Sequence, residues 1–226
     1  MANIRFLNRG TKRGEIWLYD QVGDGFFGGM SAKTFAEELT KLGQVDVVNL
    51  RINSPGGSVF DGVAIYNTLK RHPARIEVDV DGIAASIASV IAMSGDEIRM
   101  AANAMMMIHD PHGFAMGQAE DMRKTADLLD QIKGVIVDTY AKRTGKAGDD
   151  IAQLMSDETW MTASEAQQHG FSDATTEEQR IAACYDFDFS KFKHPPKALT
   201  GGRTPARDMA AVKLNAQAKR IAAHAA

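Results

Sequence analysis

Residues 45–52, VDVVNLRI, form a β-branched run that stops abruptly at NSPGGS (53–58). Such a run is typical of a strand buried in a parallel sheet. Beyond the break, Ser58 with Asp61 three residues on has the form of a capping box, which predicts a helix through Arg71. The same alternation recurs on either side. EIWLYD (15–20) reads as a short strand, and Ser31 starts a helix with Phe35, Leu39 and Leu42 at helical spacing and Gly43 as its stop. RIEVDVDGI (75–83) is the next strand, a short apolar helix runs from Ser86 to Ser94, and EIRMAANAMMMIHD holds two more strands, the second ending at His109. Met122, Ala126, Leu129, Ile132, Ile136 and Tyr140 recur three or four apart, so 118–142 reads as one long helix with a single apolar stripe. It is longer than a compact domain of this size needs, and part of its stripe is expected to face another subunit. A shorter helix is predicted at 148–156, leading into ETWMT, and SEAQQHGF reads as a last helix–turn. Alternating strands and helices predict an α/β layered fold.

A chain of 226 residues can bury one large core. No run approaches the roughly 18 apolar residues of a membrane span. The opening MANIRFLNRGTKRGE lacks the apolar stretch of a signal peptide, so a cytoplasmic protein without a membrane partner is expected. The single cysteine, Cys184, cannot form an internal disulfide and reads as a small half-buried hydrophobe. No Cys/His cluster has metal-ligand spacing, so neither metal nor cofactor is expected. The formal charge of −3 divides unevenly: from Lys191 onward eight basic residues face Asp208 alone, giving a tail of +7 and a body of −10. An acidic body argues against a nucleic-acid partner. Composition changes near Ser190, which predicts an N-terminal segment (1–14), a folded domain (15–189), and a basic Pro/Gly-rich linker with an Ala-rich tail (190–226).

Acyl transfer by serine needs a fixed nucleophile, a histidine within reach, and N–H donors facing the developing oxyanion. Three segments could supply these. In DGIAASIAS (81–89) small residues precede Ser86 at a helix start, where free N–H groups favour negative charge; the plainer reading is that Ser86 is an ordinary N-cap. In INSPGGSV (52–59) two glycines permit positive φ and an exposed N–H; the plainer reading is a tight strand–helix turn. In MMMIHDP (105–111) His109 ends a strand before Pro111; the plainer reading is a satisfied core histidine. His112 stands close by, but only His109 continues the apolar run.

The three segments together are far more specific than any alone. INSPGGSVFDGVAIYNTL, DGIAASIAS, MMMIHDPHG, GQAEDM and ASEAQQHGFSD occur in that order over residues 15–174, about two-thirds of the chain, and resemble the ClpP family of serine peptidases. The resemblance implies a ClpP/crotonase-like α/β fold of repeated β-β-α units, with 118–142 as a protruding handle helix. It implies Ser86 as nucleophile, His109 as general base, and the backbone N–H groups of Gly57 and Ile87 as the oxyanion hole, each donor worth about 3–4 kcal/mol. Aligning SDETWMTASEA puts Glu158 at the orienting acid, with Asp157 one residue earlier as the alternative. Gly56, Gly57, Ser58 and Pro111 would meet a peptide added as a strand. The implied assembly is a homo-oligomeric ring, seven-fold, single or stacked in pairs.

ETWMTASEA and VFDGVAIYNTLKRH resemble more closely the ClpP-like proteases of phages and prophages assigned to head maturation. That variant implies scaffold or capsid protein as substrate, inside a procapsid, with no partner ATPase. Its alternatives are a housekeeping-like Clp proteolytic subunit served by an AAA+ unfoldase, and an inactive assembly protein that keeps the fold. Two further rivals are an enoyl-CoA hydratase-type enzyme on the same scaffold, which would lack the Ser–His pair, and a Ser–Lys peptidase, in which His109 would be dispensable.

Overall fold

The computed structural model of the chain describes residues 7–8, 12–24, 29–178, 187, 189 and 192–196. Cys184 and the tail beyond 196 lie outside the described residues. Met1–His194 form one unit and Pro195–Ala226 a second; every element below belongs to the first.

The elements run β1 (Leu7–Asn8), β2 (Arg13–Leu18), α1 (Ala32–Lys41), β3 (Val47–Ser54), α2 (Val59–Lys70), β4 (Arg75–Ala85) and α3 (Ile87–Ala92). They continue with β5 (Glu97–Ala101), β6 (Met105–Ile108), α4 (Ala119–Thr144), α5 (Gly148–Ser156), β7 (Thr159–Thr162), α6 (Ala163–Gln168) and β8 (Ala174–Thr176). The main sheet has the order β1-β2-β3-β4-β5-β8, parallel throughout except for β1. This is the ClpP/crotonase-like α/β fold.

Local chemistry sets the helix starts. Ser31 and Ser58 each accept the N–H three residues on, from Thr34 and Asp61. The expected capping box at Ser58 is only half formed, because Asp61 Oδ1 accepts the Ala32 N–H at 2.8 Å and so ties α2 to α1. Gly145 closes α4 in the left-handed conformation, φ 72°.

Strand β3 is parallel to both its neighbours, as a β-branched run of this kind predicts, and it is more deeply buried on one face than on the other. Residues of β3 and β4 alternate between buried and half-buried. Leu50, Ile52, Val78 and Val80 enter the core, while the opposite face carries an ionic lattice. There Arg51 binds Asp81 through Nε at 2.8 Å and Nη2 at 2.5 Å, and Asp79 accepts from Asn49 (2.7 Å) and Arg99 (2.7 Å). Charged neighbours on adjacent strands satisfy one another, so this face needs no helix over it.

Helix α4 divides along its length. Ile136 and Tyr140 are buried on the body, whereas Met122, Leu128 and Val135 are exposed. Phe192 is only 6% exposed, and the first unit runs to His194.

Candidate active site

The site is made where β4 changes partners. Its first half pairs with β5 up to Val80↔Met100; from Ile83 it pairs with β6 instead. The β3–β4 register slips at the same place, between Ile52↔Val80 and Ser54↔Ala84. The parallel β4–β6 ladder ends at Ala85↔Met107, and the Ser86 N–H donates to the Met107 carbonyl at 2.9 Å. Ser86 and His109 therefore follow directly on neighbouring strand ends. Ser86 Oγ lies 2.7 Å from His109 Nε2.

Ser86 is not the N-cap that the plainer reading describes. Its backbone is strained, φ 56° and ψ −131°, and its hydroxyl makes no capping bond to α3. A non-glycine residue held there costs about 1–3 kcal/mol; the turn presents the hydroxyl to the imidazole rather than to the helix. Ser89 braces the turn from below, with Oγ 2.5 Å from the Ser86 carbonyl, 3.1 Å from the Met107 carbonyl and 2.8 Å from the Tyr140 hydroxyl. Tyr140 is 1% exposed, and burial pushes its hydroxyl pKa upward, so it stays a neutral donor from α4 to the nucleophile's turn.

The double-glycine turn folds back against the same point. Val22 exchanges bonds with it, its N–H donating to Gly56 O (2.9 Å) and its carbonyl accepting from Ser58 N (2.8 Å). In a parallel bridge of this kind the intervening Gly57 directs its own N–H to the opposite side. At Gly56, φ +89°, a Cβ would come within 2.7 Å of both Ala85 O and Ser86 Cβ and 3.1 Å of Ile87 N. Only a residue without a side chain brings this turn beside Ser86 and the Ile87 N–H. Ser58, the next residue of the turn, donates its N–H to Val22, accepts the Asp61 N–H at Oγ and accepts the Gly62 N–H at its carbonyl. Pro111 follows His109 as a half-buried residue.

The two carboxylates separate cleanly. Asp157 caps α5, is exposed, and accepts from Gln153 Nε2 at 3.0 Å. Glu158 is 5% exposed with φ 51°. It stands one step beyond the Ile108↔Thr159 pair of the antiparallel β6–β7 ladder, which sets it across from His109. Among the described residues its oxygens accept from Lys193 N (2.9 Å), His194 N (2.7 Å) and Trp160 Nε1 (3.3 Å), not from the imidazole. Burial alone would raise its carboxyl pKa; those donors, with His109 nearby, hold it below the ordinary range.

Two rings that sequence reasoning did not assign to the site meet His109, His112 having been set aside because it does not continue the apolar run. His112 lies 5.3 Å from His109, ring to ring, and Phe192 meets His109 edge-on at 5.7 Å. Phe192 sits 32 residues from Trp160, which it also touches at 5.6 Å, so no local pattern could announce it. Among the described residues no group of acidic, histidine or cysteine side chains could hold a metal. No described helix is long and apolar enough to cross a membrane.

The comparisons with known proteins agree on one family. The profile described as Clp protease matches residues 3–179, and the chain belongs to that family, whose proteases are serine peptidases. An ATP-dependent Clp protease proteolytic subunit from Bacteroides fragilis is 34% identical over 163 residues, 70% of this chain and 76% of that protein. A proteolytic subunit 1 from Leifsonia xyli is 33% identical, covering 74% and 85% respectively. A solved structure of a ClpP1 point mutant from Listeria monocytogenes superposes with a TM-score of 0.64 over 73% of this chain and 92% of that one; at 21% identity it speaks for the fold alone.

Proposed function

We propose that this chain is a serine endopeptidase that serves as the proteolytic subunit of a Clp-type assembly. The observation that carries the reading is the 2.7 Å contact between Ser86 Oγ and His109 Nε2, made by a serine whose hydroxyl does no structural work. With Nε2 unprotonated, the serine hydroxyl donates to it. As Oγ attacks a peptide carbonyl, that proton passes to Nε2. The oxyanion is received by the N–H groups of Gly57 and Ile87, and the imidazolium then protonates the leaving amine. Water repeats the sequence on the acyl-enzyme and releases the second product. Glu158 favours the imidazolium by its charge. A peptide laid beside Gly56 and Gly57 would add as a strand on the side away from Val22.

The named relatives favour a Clp proteolytic subunit, fed by an ATP-dependent partner and assembled as a ring, over a phage head-maturation protease, which rests on ETWMTASEA and VFDGVAIYNTLKRH alone. The test is labelling with a serine-reactive fluorophosphonate, together with peptide hydrolysis, at defined oligomeric states. Ser86→Ala and His109→Ala should each lower kcat by about 10⁴-fold or more, and Ser86→Ala should take no label. A wild-type chain that is never labelled in any assembly state sinks the peptidase reading.

A further inference from the structure

Glu158 receives its two backbone donors from a segment 35 and 36 residues downstream, beyond residue 179 where the family match ends. We propose that residues 192–194 form a positioning clamp for the acid of this site, so that this stretch beyond the family match is part of the catalytic apparatus. The proposal rests on the serine-peptidase reading above.

Three contacts build the clamp. Lys193 N and His194 N donate to different oxygens of Glu158, at 2.9 Å to Oε2 and 2.7 Å to Oε1. Consecutive amides on one stretch of chain bind both oxygens of the carboxylate, which then cannot turn about its last torsion, so its charge stays fixed near His109. Trp160 Nε1 closes the third direction, 3.3 Å from Oε1. Phe192 locks the amides in place. It is 6% exposed and wedged edge-on between the Trp160 ring (5.6 Å, 86°) and the His109 ring (5.7 Å, 78°). Phe189, whose carbonyl accepts the Phe192 N–H at 3.1 Å, packs on Trp160 at 6.1 Å.

The arrangement answers a problem that Glu158 poses. It stands on a turn with φ 51°, its own N–H spent on the Met155 carbonyl, and a glutamate has three side-chain torsions between backbone and carboxylate. Each must be held if the charge is to stay in place near the imidazole. Fixed backbone amides do that without rotamer freedom of their own.

The experiment uses the full chain and separates donor from side chain. Lys193→Pro removes the N–H; Lys193→Ala keeps it. With kcat expressed per fluorophosphonate-titrated serine, the proline variant should fall at least about tenfold below the alanine variant, the worth of one charge-assisted hydrogen bond, with KM changing less than twofold. Equal kcat per site in the two variants overturns the clamp. So does a loss confined to the number of titratable sites, which is what mere misfolding would produce. Hydrogen exchange provides a readout independent of substrate: the Lys193 and His194 amides should be protected in wild type and released in Glu158→Ala. A wild-type enzyme that hydrolyses peptide with those amides unprotected overturns the clamp alone. Protected amides in a chain that neither hydrolyses peptide nor takes label overturn the peptidase reading, and the positioning role with it.

Discussion

Replacing Gly56 by alanine places a methyl group where Ala85 O and Ser86 Cβ stand 2.7 Å away and Ile87 N 3.1 Å away. Two of those neighbours are backbone and the third is the first carbon of the nucleophile, so none can swing aside as a flexible side-chain end would. Two costs add. Holding alanine at φ +89° costs about 1–2 kcal/mol, and forcing the neighbours apart costs a further 1–3 kcal/mol or so. The expected destabilisation is therefore about 2–5 kcal/mol. Catalysis suffers separately, because relief of the clash moves Ser86 relative to His109, and an ångström of misplacement is worth about a hundredfold in rate. Gly43 is the natural control. It also has positive φ, +67°, but a Cβ there would meet nothing within 4 Å. Gly43→Ala should lose only the backbone share, about 1 kcal/mol, and keep its kcat. Urea unfolding followed by circular dichroism, paired with kcat per titrated serine, measures both terms. If Gly56→Ala proves as stable as Gly43→Ala and hydrolyses peptide within twofold of wild type, the close approach of the turn to the nucleophile is wrong.

Asp81 is 2% exposed and held by Arg51 and by the Tyr19 hydroxyl at 2.5 Å. Arg51→Ala should cost about 3–5 kcal/mol by leaving that carboxylate buried with Tyr19 as its remaining named donor, and the double replacement Arg51→Met with Asp81→Leu should recover most of it; a single-variant loss under 1 kcal/mol in urea would contradict the lattice. Glu158 has a folded-state pKa below its unfolded value, so its ionised form contributes stability that is present at neutral pH and is lost as pH falls below about 4.3 and through the lower folded value. Wild type should accordingly lead Glu158→Gln in urea midpoint at pH 7 and lose that lead on acidification; parallel pH curves for the two proteins would refute it.

Much of the fold was legible because its signals are local. The helix starts at Ser31 and Ser58 need only a side-chain oxygen and an amide three residues on, and a chain carries that spacing in its own order. The left-handed close of α4 at Gly145 was not read from the sequence, and the helix runs two residues past the expected Lys142. Where a side chain had a distant competitor, local reading failed. Asp61 serves the Ala32 amide rather than its own helix, and the outward face of β3 is ionic because Arg51 meets Asp81 on the next strand.

The candidate site divides in the same way. Ser86, His109 and the double glycine could be picked out as residue types at strand ends, since a break in β-branched sequence marks where a side chain can leave a sheet. That the breaks meet depended on β4 exchanging β5 for β6 near Gly82, a choice made by the packing of whole strands. The contrast between Glu158 and Asp157 required the β6–β7 register, because a one-residue slip turns every side chain to the other face. The clamp by residues 192–194 required a return of the chain across more than thirty positions, which only tertiary packing can bring about. Order along the chain determined which groups were available for chemistry; long-range pairing determined which of them touch, since hydrogen bonds act over about 3 Å whatever the separation in sequence.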